Sequence, residues 1–236
     1  MKALVLGASG ATGKLVVQQL IKNNIEVRIV VRESALIPSY VSENNTIEIV
    51  KGNINDFGIT KFKDLLKDCD SIICCLGHNI SFKGIFGPPH KLVYNTVVRI
   101  IEAVKSLKLN PKYILMSTTA YTNNKIGEVN TVREKIVFSL LYVLLPPHKD
   151  NMHAANHLVY KVGLQSSIEW VVVRPDSLFD EENVSNYEIH NKKIRSPIFD
   201  AGKTSRINVA HFMIELLLNE ELWNKWKFKM PVIYNR

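Results

Sequence analysis

Short apolar segments alternate with amphipathic segments along the chain. Residues 2–6 and 26–31 are rich in Val, Leu and Ile, which is typical of buried strands, and apolar residues recur at helical spacing between them, over 13–22. The same reading predicts further strands at 46–51, 70–76, 112–116 and 168–173, and further helices at 60–66 and 90–107. Alternation of this kind predicts a parallel sheet with helices on its faces.

The nearly continuous apolar character of these strands indicates that both faces of the sheet are covered. We therefore predict a doubly wound α/β sheet of strand order 3-2-1-4-5-6 with right-handed crossovers, and leave a seventh strand open. A length of 236 residues with 46% hydrophobic residues is sufficient for one core, so residues 1–236 are expected to form a single domain. Ligands of such sheets bind at the carboxyl ends of the strands.

A glycine-rich turn lies between the first strand and the first helix, and it carries the strongest chemical signal. Gly7 permits a tight turn, Gly10 lets the backbone approach a diphosphate, and Gly13 allows the helix to pack closely on the strand. The free N–H groups at the helix start hold phosphate. This order of elements is typical of a Rossmann dinucleotide-binding site, although the spacing is G-x-x-G-x-x-G. The expected contacts are Gly7, Ser9, Gly10, Ala11, Thr12 and Gly13.

The residue after the second strand indicates which dinucleotide binds. Arg32 occupies the position where NAD-binding proteins usually carry an acidic residue, and its guanidinium can pair with the 2′-phosphate of NADP. We therefore predict NADP(H) as the cofactor. Two alternatives remain open: Arg32 as a solvated charge, and NAD(H) bound through the neighbouring Glu33.

Three later strand ends complete the predicted cofactor site. Asn53 and Ile54 are expected to meet the adenine, although Asn53 is equally typical of a turn. Leu76, Gly77 and His78 are expected beside the ribose and diphosphate, with a solvent-facing His78 as the alternative. The segment Ser117, Thr118 and Thr119 is expected near the nicotinamide.

Composition narrows the classes of function. The net charge of +8 favours anionic ligands, but the basic residues are scattered, so we do not expect nucleic acid binding. Cys69, Cys74 and Cys75 have neither metal-ligand nor disulfide-framework spacing and suit buried thiols in a reducing cytoplasm. We predict a cytoplasmic protein without signal peptide or membrane span, and no metal site.

Two apolar features invite other interpretations. The run at 136–145 is too short for a membrane span and is expected to pack over the active-site side, with a dimer contact as the alternative. Trp223 and Trp226 are expected to be a packing pair at a helix end. A monomer or a homodimer is compatible with the sequence.

Several segments together resemble the atypical short-chain dehydrogenase/reductases, in particular the NAD(P)H-binding, NmrA-like group that includes flavin and biliverdin reductases. The resemblance covers nearly the whole chain. It is carried by residues 7–13, Arg32, 52–54, 75–77, 116–120, 170–175 and 206–212. It implies that Arg174 and Pro175 line the far wall of the pocket beside Asp176, although Arg174 is equally compatible with a structural ion pair. The helix starting at Arg206 is implied to begin beside the substrate pocket.

The chain departs from the family in the catalytic pair. Typical members carry Tyr-x-x-x-Lys before the sixth strand, and those positions fall on Met152 and Asn156 here, while the adjacent Tyr160 and Lys161 lack the spacing. We therefore do not expect alcohol dehydrogenation by the usual route. The resemblance places Thr119 where a hydroxyl orients the nicotinamide or substrate and Asn156 in the pocket lining. Thr119 bonded only to backbone remains the alternative.

These observations predict an NADPH-dependent reductase that transfers hydride to a flavin or a similar conjugated small molecule, with Thr119 and Asn156 as candidate catalytic residues. The alternative from another class is an NADP(H)-sensing regulator without catalysis. A relative of sugar-nucleotide epimerases is less compatible, because the chain lacks both the Tyr/Lys pair and a long substrate domain.

Overall fold

The structure is a computed structural model that describes residues 1–78, 81–164, 166 and 168–236. The strands are β1 (Lys2–Leu6), β2 (Glu26–Val31), β3 (Ile47–Lys51), β4 (Ser71–Cys74), β5 (Lys112–Met116), β6 (Glu169–Pro175), β7 (Ser177–Phe179), β8 (Tyr187–His190), β9 (Lys203–Ser205) and β10 (Val232–Asn235). The α-helices are α1 (Ala11–Lys22), α2 (Ser39–Ser42), α3 (Ile59–Leu66), α4 (Phe82–Phe86), α5 (Leu92–Leu107), α6 (Val132–Leu144), α7 (Pro146–Asn156), α8 (Arg206–Leu218) and α9 (Glu220–Trp226).

The central sheet confirms the predicted topology. Its order is β3-β2-β1-β4-β5-β6-β10-β8, and the strands from β3 to β10 are parallel to their neighbours. The seventh strand that the sequence left open is β10, and β8 adds an antiparallel edge to it. Strands β7 and β9 form a separate two-stranded sheet.

Two apolar layers cover the faces of the sheet. One face packs against α3, α5 and α7, and the other against α1, α8 and α9. Trp223 and Trp226 are buried in the second layer, which confirms the predicted packing pair. The three cysteines are free and buried, and burial raises the pKa of the Cys74 thiol to about 11.

Helix α6 corrects one expectation. The apolar run at 136–145 was predicted to pack over the active-site side, but only Glu134 and Phe138 of this helix are buried. Ile136 and Val143 are 58% and 77% exposed. A capping box between Thr131 and Glu134 fixes where the helix begins. From this start, most of the apolar side chains of α6 point to solvent. Within the described part of the chain, no helix is long and apolar enough to cross a membrane.

The turn between β1 and α1 depends on two glycines. Gly7 has φ +79°, and a Cβ there would lie 2.6 Å from the carbonyl oxygen of Cys75. A Cβ on Gly13 would overlap the carbonyl oxygen of Gly7, which is backbone and cannot turn aside. Helix α1 therefore sits directly on the end of β1, two residues longer at its start than the sequence predicted.

We expect Gly13→Ala to destabilise the fold by about 1–3 kcal/mol, because the new methyl group forces α1 away from β1. The measurement is the urea midpoint without cofactor. Gly77→Ala is the matched control, since nothing lies within 4 Å of a Cβ built there. Equal midpoints for the two variants would contradict the packing argument.

Candidate functional site

A large cleft runs along the carboxyl edge of the sheet, with a volume of about 950 Å³. Its walls come from the ends of β1, β2, β3 and β4, from the segment that contains α4, and from the start of α8. Of the predicted site residues, those lining it are Gly7, Ser9, Gly10, Ala11, Thr12, Arg32, Asn53, Ile54, Leu76, Gly77 and His78. The sequence therefore located one continuous cleft from four separate strand ends.

The turn above β1 forms the middle of the cleft, because β1 lies between β2 and β4 in the sheet. The Gly10 amide donates to the Gly7 carbonyl at 2.9 Å, which closes the turn. Gly10 is also the N-cap of α1, and no side chain caps this helix, so the first-turn amides are available to a ligand. No acidic residue lies in that first turn. This part of the cleft suits a diphosphate.

One end of the cleft is formed by the ends of β2 and β3. Arg32 is exposed there beside Glu33, and no ion pair within the described residues involves it. Asn53 lines the cleft, and its Oδ1 atom accepts the Asn55 amide at 3.4 Å, so it also serves the turn. Ile54 is buried and offers an apolar surface.

His78 lies at the end of β4, and the solvent-facing alternative for it is wrong. Its side chain is 6% exposed, and its Nε2 atom lies 2.8 Å from Oδ2 of Asp150. Asp150 belongs to α7 and is itself buried. A carboxylate 72 residues away along the chain thus holds the ring at the cleft.

The three residues that follow β5 are not part of the cleft lining. The Ser117 hydroxyl donates to Oδ1 of Asn151 at 2.8 Å, and the Thr118 hydroxyl accepts the Ala120 amide at 3.2 Å. Thr119 is buried and its hydroxyl bonds to the carboxylate of Asp176, so the alternative of a purely backbone-bonded Thr119 does not hold. Met116 is the β5 residue that lines the cleft. The cofactor contacts expected of Ser117 and Thr118 and the catalytic role expected of Thr119 stay predictions.

Asn156 lies near the end of α7 and is used internally. Its Oδ1 atom accepts the hydroxyl of Tyr121 at 2.8 Å. Tyr121 is buried, and burial raises its pKa, so the phenol stays a neutral donor. Neither residue is part of the cleft lining. Its predicted catalytic role therefore gains no geometric support.

Arg174 corrects another expectation. It is fully buried, and its guanidinium makes a bidentate ion pair with Glu128, with N···O distances of 2.7 and 2.8 Å. Burial alone would raise the pKa of Glu128, but the hydrogen bonds and charge of Arg174 lower it overall. The structural ion pair that the sequence left open is thus what forms, and the guanidinium does not reach the cleft. Pro175 ends β6 and lies outside the cleft lining.

Three polar residues of the site were missed. Arg206 lines the cleft at the start of α8, where its Nη1 atom lies 3.0 Å from Oδ1 of Asp180. The sequence placed this helix beside the pocket but gave the arginine no role. Asp150 and Asn151 follow Pro146 and Pro147 at the start of α7. A proline at the first helical positions is typical of a helix start, and it is the sequence signal that could have located these two residues.

The described residues fit a dinucleotide. Free amides stand at the turn above β1, a guanidinium without an ion-pair partner among the described residues stands at the end of the neighbouring β2, and the glycine-bearing ends of β3 and β4 flank the two. A Cβ on Gly7 or Gly13 would clash with backbone, so the turn can hold its form only with glycine there. Sequence comparison agrees with this geometry, because residues 7–220 match the NAD(P)H-binding family. The chain belongs to this family.

Three known proteins are similar over most of the chain. An uncharacterized chloroplastic protein of Arabidopsis thaliana is 25% identical over 221 residues, which is 93% of this chain and 73% of that protein. A short-chain dehydrogenase/reductase from Veillonella parvula, solved in complex with NADP, has a TM-score of 0.71 at 14% identity and covers 99% of this chain and 94% of its own. ChuY, an anaerobilin reductase from Escherichia coli O157:H7, has a TM-score of 0.69 at 14% identity, covering 100% and 97%. At such identities the two structures show the shared fold.

The buried ion pair behind the site gives a stability prediction. We expect Glu128→Gln to lower the free energy of unfolding by about 3–5 kcal/mol at pH 7, because it leaves the Arg174 charge buried without a counter-charge. Since the pKa of Glu128 is lowered in the folded state, its stabilisation is present above the unfolded pKa and disappears as the pH falls through the folded one. The variant should therefore lose less stability on acidification than the parent.

The measurement is urea denaturation at pH 7 and at an acidic pH, and Glu220→Gln is the matched control at each. Glu220 pairs with Lys112 but is 70% exposed, so we expect a loss of about 0–1 kcal/mol. A Glu128→Gln variant as stable as this control would contradict the structural role of the pair.

Proposed function

We propose that this protein is an NADPH-dependent reductase that transfers hydride to a flavin or a similar conjugated small molecule. The observation that carries the proposal is the cleft itself, in which the helix-start amides of α1 and Arg32, which has no ion-pair partner among the described residues, lie at the ends of the neighbouring strands β1 and β2. The bound dinucleotide would supply the hydride. The residues of the chain hold its phosphates and orient it along the strand ends.

The preference for NADPH rests on Arg32. Its guanidinium is exposed in the cleft wall and can make several charge-assisted hydrogen bonds to a 2′-phosphate, and Ser34 beside it adds a hydroxyl to the same wall. Glu33 also lines the cleft and would suit the ribose hydroxyls of NAD. A charge reversal at Arg32 distinguishes a preference for NADPH from a preference for NADH.

The class of acceptor follows from what occupies the positions of the usual catalytic pair. Met152 cannot exchange a proton, and Asn156 is engaged with Tyr121. Reduction of a conjugated ring system needs chiefly proximity and orientation, so it tolerates this loss better than ketone reduction does. That ChuY, which shares the fold, is an anaerobilin reductase is in keeping with a conjugated acceptor.

We expect Arg32→Asp to reduce the preference for NADPH over NADH by roughly tenfold or more, which corresponds to about 1.4 kcal/mol of lost phosphate contact. The measurement is the ratio of kcat/KM for the two cofactors. Arg133→Asp on exposed α6, outside the cleft lining, makes the same change in net charge and should leave the ratio unchanged. An unchanged ratio in Arg32→Asp would refute the assignment.

Turnover itself is tested by stopped-flow oxidation of NADPH with FMN, riboflavin and biliverdin. We expect at least one acceptor to react well above the rate without enzyme. If none does, while calorimetry registers tight binding with different affinities for NADP⁺ and NADPH, the protein is a redox sensor. That second candidate is favoured by the internal hydrogen bonds of Thr119 and Asn156, which leave neither facing the cleft.

A further inference from the structure

A histidine of the cleft wall is hydrogen-bonded to a carboxylate that is buried behind it. His78 forms part of the wall at the end of β4, and Asp150 reaches it from the second turn of α7. The Asp150 side chain is fully buried, and the His78 side chain is nearly so. Burying an ionisable pair at a cleft wall costs desolvation energy, and such pairs cluster at functional sites. The pair is therefore a candidate for a functional role.

The hydrogen bonds of Asp150 fix the state of the imidazole. Its Oδ1 atom accepts the Tyr94 amide at 2.9 Å, and its Oδ2 atom accepts the Val93 amide at 2.8 Å. These amides are the second and third of α5, whose N-cap Lys91 has no capping side chain, so Asp150 caps the helix from outside. A carboxylate offers acceptors but no donor, so the hydrogen bond between Asp150 and His78 is donated by the ring. The ring proton is therefore on Nε2.

This arrangement leaves Nδ1 of His78 for a ligand. Within the described residues, Nδ1 makes no hydrogen bond, and the ring is part of the cleft wall. When the ring is neutral, Nδ1 is an acceptor, and when the ring is protonated, Nδ1 is a donor whose positive charge is stabilised by Asp150. In hydrolytic triads an aspartate likewise holds a histidine ring in one tautomer and stabilises its protonated form.

Other titratable groups of the cleft wall cannot take this role. In the described part of the lining they are Arg32, Glu33, Cys75 and Arg206. Arginine does not release its proton, and burial raises the pKa of the Cys75 thiol. Glu33 lies at the end of β2, on the side of the cleft where Arg32 marks the predicted 2′-phosphate site. Among the described lining residues, His78 is thus the group at the β4 end that can donate a proton to a ligand.

We propose that His78 is the proton donor of the reductase, with Asp150 as its positioning residue; this rests on the proposed function. A bound NADPH would supply the hydride, that is two electrons and one hydrogen, to the conjugated acceptor. The Nδ1–H bond of the His78 imidazolium breaks, and its proton neutralises the negative charge that the hydride leaves on a nitrogen or oxygen of the acceptor. The neutral imidazole then takes a proton from solvent, so the sum is NADPH, acceptor and one proton to NADP⁺ and reduced acceptor.

The sharpest test is His78→Gln. The glutamine amide can still donate to Asp150 in place of Nε2–H, but it cannot transfer a proton, so the fold and the cap of α5 are kept. We expect kcat to fall about 100-fold or more, with NADP⁺ affinity by calorimetry unchanged within about threefold. His153→Gln is the matched control: its Nε2 also makes one 2.8 Å hydrogen bond, to the hydroxyl of Tyr142, but it lies outside the cleft lining.

A second readout needs no acceptor. Nitrogen NMR of ¹⁵N-histidine-labelled protein, with His78→Gln used to assign the signal, should show the neutral His78 ring with its proton on Nε2. Asp150→Asn should disturb this state. A ring proton on Nδ1, or a kcat in His78→Gln equal to that of His153→Gln, would overturn the proton-donor role and leave the reductase proposal standing. Absence of turnover in the parent protein would overturn both.

Discussion

The backbone contact between Gly7 and Gly13 is the constraint on which the site depends. No side chain lies between the end of β1 and the first turn of α1, so the start of the helix comes directly over the edge of the sheet. The uncapped amides then open into the cleft, within one continuous wall with the ends of β2, β3 and β4. Because parallel strands end at one edge, fixing the first crossover also fixes where every later strand end can contribute.

The sequence predicted what depends on local pattern. The glycine turn, Arg32 and the strand order could be read from short segments, because strand, turn and helix signals are local and the handedness of crossovers is general. The exposure of the apolar residues of α6 could not be predicted, because an apolar run does not show which part of the protein, if any, covers it. Arg174 shows the same limit. A bidentate pair with Glu128, 46 residues away, is decided by tertiary placement, and the sequence could only leave it open.

Asp150 is the clearest case of information that is not local. It joins the end of β4, the start of α5 and the body of α7, and its neighbour Asn151 accepts from Ser117 at the end of β5. These partners lie 34 to 72 residues away. The first turns of α7 therefore tie together two strand ends and a helix start, at the side of the cleft opposite Arg32. The single sign of this in the sequence is the proline pair at the start of α7, which fixes where the helix begins.

The internal pairing of charges also bears on the kind of acceptor. Arg174 and Glu128 neutralise each other in the core, and Arg206 faces Asp180, so Arg32 is the cleft arginine without an ion-pair partner in the described chain. This unpaired cation lies at the end of β2, where the 2′-phosphate of the cofactor is predicted to bind. The β4 end offers an imidazole and the apolar side chains of Leu76, Leu92 and Met116. If the protein is the proposed reductase, apolar walls beside a group that can donate a proton would suit the flat ring system of a conjugated acceptor.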